Sequence, residues 1–213
     1  MPHHIALLGD SVFDNRAYTG REPDVVGHLR KILPNPWRAS LCAVDGSTTA
    51  DLEAQLPGVP SDASHVVISL GGNDVLRNSD LLVQPVRSMT GALALFVERV
   101  ARFETAYRAA IEGALALGRQ TTVCTIYNGD LDREQASLAR VALTAFNDVI
   151  LRAAFEHQLA VIDLRLICNE AADYTNQIEP SGRGGRKIAE AVARSTGALG
   201  GQLHVSTVFA ALC

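Results

Sequence analysis

His4-Ile5-Ala6-Leu7-Leu8-Gly9-Asp10-Ser11 sets the reading of the whole chain. The apolar residues Ile5 to Leu8 are continuous, without the alternation of a strand that has one wet face. They read as a strand buried on both faces. A glycine then opens a turn, and a serine stands just beyond it. In an open α/β sheet this is a position that can present a nucleophile. Four more short apolar runs, at 41–44, 66–70, 122–126 and 160–164, read as strands of the same kind. Helical patterns fall between and after them, at 25–33, 86–117, 133–156 and 181–193, the last opened by Ser181 as its N-cap. Strict alternation of strand and helix, with connections long enough to cross over, predicts a five-stranded parallel sheet covered on both faces, a three-layer α/β/α sandwich.

The chain has 213 residues, 47% hydrophobic and 20% charged, enough for one domain over 1–213 with a full core. Leu203, Val205, Thr207 and Phe209 alternate, so the tail 200–213 reads as an added edge strand. The net charge of −4, with no basic cluster, gives nucleic-acid binding no electrostatic support. No secretory signal and no membrane-spanning run is visible. Cys42, Cys124, Cys168 and Cys213 form no Cys-x-x-Cys pair; they read as free thiols in a reducing cytoplasm, and no metal-ligand spacing is present. Oligomeric state is not legible.

In open α/β sheets the ligand site lies beyond the carboxyl ends of the strands. Ser11 follows the first strand, Gly46 of Asp45-Gly46-Ser47-Thr48-Thr49 the second, and Asn73 of Gly71-Gly72-Asn73-Asp74 the third. Tyr127-Asn128 and the loop 173–180 follow the fourth and fifth. All these candidates fall at one sheet edge. Acyl transfer needs such a set: a hydroxyl activated by a base, and donors aimed at the oxygen of the tetrahedral intermediate. The backbone N–H groups of Ser11 and Gly46 and the side-chain amide of Asn73 are suitable donors. Asp10 and Asp74 flank the site and read as supports that bond loop backbone.

These residues resemble the SGNH, or GDSL-type, hydrolase superfamily of esterases and lipases. Gly9-Asp10-Ser11-Val12-Phe13-Asp14-Asn15 is similar to its first block, with valine where the family name has leucine. Gly46 matches the glycine of the second block, and Gly71-Gly72-Asn73-Asp74 the third. The resemblance runs from about residue 4 to about residue 194. It implies a flavodoxin-like fold, Ser11 as nucleophile, an oxyanion hole of Ser11 N–H, Gly46 N–H and the Asn73 side chain, a small acyl or acetyl ester as substrate, and no metal or organic cofactor.

The family's last block, Asp-x-x-His, is altered. Here Asn176-Gln177-Ile178-Glu179-Pro180 places Glu179 where the base histidine stands and Asn176 where its aspartate stands. Asparagine can donate to a glutamate that an aspartate would repel. Glu179 is therefore the candidate base of a Ser11–Glu179 dyad. A protein that keeps the fold and pocket but has lost its chemistry, and binds a ligand or partner, is the alternative. Five of the histidines are badly placed to help: His65, His3 and His4 fall at the opposite sheet edge, a strand length or roughly 16 Å away, and His28 and His157 belong to helical patterns. His204, after Gly200-Gly201 and beyond the last block, is the one histidine that could fold back to the site.

Overall fold

The computed structural model describes residues 3–200 and Val208. The edge strand expected over the tail lies almost wholly outside them, as do His204 and Cys213. Five strands, β1 (His4–Gly9), β2 (Arg38–Leu41), β3 (His65–Ser69), β4 (Gln120–Cys124) and β5 (Ala160–Ile162), form one parallel sheet in the order β2-β1-β3-β4-β5. Leu7 lies opposite Leu41 on one side and Val67 on the other, and Val67 lies opposite Thr122. The helices are α1 (Val25–Ile32), α2 (Leu52–Gln55), α3 (Gly72–Arg77), α4 (Met89–Leu115), α5 (Arg133–Glu156), α6 (Leu164–Ile167) and α7 (Gly182–Ser195). This is the α/β/α sandwich the alternating pattern predicts.

Side-chain parity along the strands makes the layers. Ile5 and Leu7 of β1 join Val25 and Leu29 of α1 and Ile188 and Val192 of α7. Ala6 and Leu8 join Leu52 of α2, Phe103 and Ile111 of α4, and Phe146 and Ile150 of α5. Both sides of β1 are dry, as its unbroken apolar run requires. Three long helices start on side-chain caps: Asp24 accepts from Gly27 N–H, Ser88 from Gly91 N–H and Ser181 from Gly184 N–H. Ion pairs Glu104–Arg152 and Arg108–Glu156, with a Phe103–Phe146 contact at 5.2 Å between ring centroids, hold α4 and α5 side by side.

Several expectations shift. The fourth strand, expected at 122–126, occurs at Gln120–Cys124, and the fifth, expected at 160–164, ends at Ile162, with Leu164 opening α6. The second strand was expected at 41–44 and occurs at Arg38–Leu41. Beyond Leu41 the ladder breaks: the N–H groups of Cys42 and Ala43 both donate to Leu7 O, and Val44 N–H then reaches Gly9 O. The apolar residues 42–44 follow β1 without pairing as a strand. The helical pattern at 133–156 is borne out as α5, whose apolar residues are buried at Phe146, Val149 and Ile150 but exposed at Leu138 and Val141. α2 supplies the helix that strict alternation calls for between the second and third strands; the short helices α3 and α6 were not anticipated.

α2 fixes the end of β1. Gln55 accepts from Gly9 N–H at 2.8 Å through Oε1, and donates through Nε2 to Gly9 O at 2.8 Å and to Ser47 Oγ at 3.1 Å. All of this is buried. Gln55→Ala leaves the buried Gly9 N–H without its partner, while Gly9 O keeps the bond from Val44 N–H. It should lower unfolding free energy by about 1–3 kcal/mol, measured in urea; a loss under ~0.5 kcal/mol would show that other partners replace the clamp.

Candidate active site

Ser11 stands two residues beyond β1, in a turn closed by Phe13 N–H and Asp14 N–H, which both donate to Asp10 O. Its Oγ donates to Glu179 Oε1 at 3.2 Å, joining residues 168 apart in the chain. Both side chains are buried. A hydroxyl donating to a carboxylate is the ground-state geometry of a nucleophile and its base.

The chain around Glu179 is tied down at almost every residue. Tyr174 and Pro180 form an antiparallel bridge, and Thr175 N–H donates to Glu179 O at 2.9 Å. Tyr127 O–H donates to Ile178 O at 2.5 Å, and Asp130 N–H to Gln177 O at 2.8 Å, both from the loop after β4. Asn15, fully buried, donates to Pro180 O at 3.3 Å and accepts from Val25 N–H at 3.0 Å, so the first loop grips the last. Asn176 makes a different contact from the one expected. Its Oδ1 accepts from Ile178 N–H at 2.9 Å and Glu179 N–H at 2.8 Å. It shapes the turn that carries Glu179 and does not donate to the carboxylate. Glu179 Oε2 is buried with no hydrogen-bond partner. α7 approaches this loop closely: a Cβ on Gly184 would lie 2.1 Å from Asp173 O.

Asn73, in the first turn of α3, donates from Nδ2 to Ser47 O at 2.9 Å, which uses one of its two amide hydrogens. Asp74 accepts from Thr49 N–H at 3.0 Å and Thr49 Oγ1 at 2.8 Å, tying the loops after β2 and β3 together. Gly46 is exposed between Asp45, whose N–H donates to Asp14 Oδ2 at 3.0 Å, and Ser47. It lines a neighbouring hollow with Gln55, while Ser11, Asn73, Asp10 and Glu179 line one cavity of about 460 Å³.

Among the described residues no lysine, arginine or histidine lines that cavity. Asp10, which accepts from Val12 N–H at 3.1 Å, has its pKa pushed up to about 7, chiefly by burial and further by the charges of Glu179 and Asp74. Glu179 is raised as well, by burial first and by Asp45, against the opposing bond from Ser11. Other charged candidates are engaged elsewhere: Asp173 accepts from Lys187 Nζ at 2.7 Å, and Arg183 pairs with Glu170. His4 bonds Asp62 and Ser40 across strands, and His65 bonds Ser64. Among the described residues no three His, Cys, Asp or Glu side chains are grouped to hold a metal ion, and no helix is long and apolar enough to cross a membrane.

Sequence reasoning placed Tyr127 at the site edge, directly after an apolar run, without assigning it the bond to Ile178 O; it missed Gln55, which carried no signal.

With this sheet and this loop cluster, the chain matches the GDSL-like Lipase/Acylhydrolase family over residues 7–204 and belongs to it. That makes it a member of a family of carboxylic ester hydrolases. Similar solved structures include a phospholipase A1 from Streptomyces albidoflavus (TM-score 0.69, 15% identity, covering 92% of this chain and all of that one). An extracellular lipase from Streptomyces rimosus gives 0.67 at 17%, covering 90% and 99%, and a catalytic mutant of an acetylxylan esterase from Geobacillus stearothermophilus gives 0.65 at 22%, covering 92% and 94%. No curated protein matches the sequence.

Asp10 offers a test of the site's electrostatics. Folded, it keeps its proton to about pH 7; unfolded, it ionises near ~3.9. The stability it contributes at low pH is therefore lost as pH rises toward and through 7. Asp10→Asn keeps an acceptor for Val12 N–H and carries no charge. Its stability relative to wild type should rise between pH 4 and pH 8, by up to ~4 kcal/mol. A difference that stays constant with pH would mean that Asp10 ionises normally.

Proposed function

We propose that the protein is a serine esterase in which Ser11 attacks the carbonyl carbon of an ester and Glu179 is the base. The hydrogen bond from Ser11 Oγ to Glu179 Oε1 carries this reading. The Ser11 proton passes to Glu179 as the C–O bond forms, and returns to the leaving alkoxide as the tetrahedral intermediate collapses to the acyl-enzyme. Water then attacks the acyl carbon, again giving its proton to Glu179, and Ser11 departs protonated as the acid is released. The amide hydrogen of Asn73 not used by Ser47, with the N–H groups of Ser11 and Gly46, forms the oxyanion hole. No metal or organic cofactor takes part.

A glutamate at its ordinary pKa of about 4.3 is a weaker base than histidine by roughly two units. Burial narrows that gap, because the raised pKa of Glu179 brings it nearer the pH at which it must accept a proton. The orphaned Oε2 leaves the base without the third, orienting group that a triad supplies. The turn built on Asn176 and Tyr127 does that work through the backbone.

Hydrolysis of p-nitrophenyl esters should be abolished in Ser11→Ala, fall about 10²–10³-fold in kcat in Asn73→Ala, and nearly vanish in Glu179→Gln. In wild type kcat/KM should fall as pH drops through the pKa of Glu179, with its midpoint above the ordinary carboxylate value. Equal turnover in wild type and Glu179→Gln would exclude the dyad. If both are inert toward a broad ester panel, while Glu179→His with Asn176→Asp hydrolyses it near pH 8, the native chain is a binding protein on a hydrolase fold.

A further inference from the structure

We infer that the acyl group of the substrate is a medium-length hydrocarbon chain, seated in the cavity beside Ser11 and between α3, α4 and α5. The inference rests on the ester-hydrolase reading above and replaces its acetyl group with a longer one. The cavity of about 460 Å³ is far larger than an acetyl methyl needs, and it falls within the ~300–1,000 Å³ range of small-molecule sites. Away from Ser11, Asn73 and Glu179 its walls are mainly aliphatic and aromatic, with Leu76, Leu81, Phe96, Ile126, Leu143 and Phe146 among them.

Two polar side chains of the wall are bonded within the protein. Asn78 donates to Asp74 O at 2.7 Å and accepts from Arg99 at 2.8 Å. Thr125 donates to Asp163 at 2.9 Å and accepts from Leu164 N–H at 3.0 Å. Ser79, Asn128 and Gln135 also line the cavity, but apolar side chains far outnumber them, so a carbohydrate would find few donors and acceptors turned toward it. Among the described residues no basic side chain lines the cavity, whereas Asp10 and Glu179 do, which argues against an anionic acyl group.

Exposure points the same way. Val83 and Leu138 both line the cavity, yet are 82% and 54% exposed. Apolar surface left facing water beside a nucleophile is surface that a hydrocarbon substrate would cover. Each methylene buried there should raise kcat/KM roughly three- to fourfold.

The test is the series p-nitrophenyl acetate, butyrate, hexanoate and octanoate, with wild type and Ala142→Trp. Ala142 is half-buried on α5 and lines the cavity. In wild type, octanoate should exceed acetate in kcat/KM by at least ~100-fold, and Ala142→Trp should cut that ratio at least tenfold. Ala139→Phe, one turn earlier in the same wall, serves if Ala142→Trp does not fold. Acetate hydrolysed as well as octanoate would overturn the inference and leave the esterase reading standing. Binding separates the two failures without turnover. Calorimetry on Ser11→Ala should find octanamide bound at least ~100-fold more tightly than acetamide. Equal affinities would overturn the chain site whatever becomes of hydrolysis, whereas tight octanamide binding by a protein inert toward every ester would leave the chain site and remove the catalytic reading.

Discussion

Gly9 ends β1 where no other residue would fit. A Cβ there would stand 1.8 Å from Ser69 O, and its φ of +129° is one that L side chains rarely adopt. The close approach lets Asp10 N–H donate to Ser69 O at 3.1 Å, binding the first loop to the neighbouring strand as it leaves the sheet. Gln55 holds both backbone atoms of Gly9 from the other side and reaches Ser47, whose carbonyl receives Asn73. One clamp thus relates the ends of β1, β2 and β3. Ser11 is set by the strand end, and Asn73 by the loop that the strand end fixes.

The last loop reaches the same place by a different route. Glu179 sits on no regular element; backbone bonds from Asp130 and Thr175, and the side chains of Tyr127, Asn15 and Asn176, hold its turn. A rigid backbone limits the cost of ordering the Glu179 side chain, whose second oxygen has no partner. The electrostatic cost appears elsewhere. Asp10 and Glu179 hold their protons more tightly chiefly because they are buried, and further because Asp74 and Asp45 stand near them while no lysine, arginine or histidine among the described residues lines the cavity. Such a site tolerates a neutral ester better than an anionic one.

Much of this was legible from residue pattern. Ile5 to Leu8 and Val66 to Ser69 lie within the strands their apolar runs predict, because strands dry on both faces have little alternative composition. The run 41–44 misled, because the edge strand pairs through Arg38 to Leu41, where burial is partial. Glu179 could be placed near Ser11 only through the resemblance to the family's last block, whose proline and following helix stand here as Pro180 and the helix opened by Ser181. The atom that Asn176 would offer could not, because the amide carries donors and an acceptor at the same spacing. Gln55 was invisible: its partner is 46 residues away, and only the folded sheet brings them together. The cavity was equally hidden, since it is a space between separate helices and belongs to no stretch of sequence.

The central claim is that Glu179 activates Ser11. The most direct measurement is covalent labelling with a fluorophosphonate, followed by peptide mass spectrometry, on wild type and Glu179→Gln. One label per chain on Ser11, with a rate that falls toward acid pH and is at least ~100-fold slower in Glu179→Gln, is the predicted result. Labelling at another residue, or at equal rates in the two proteins, would contradict it.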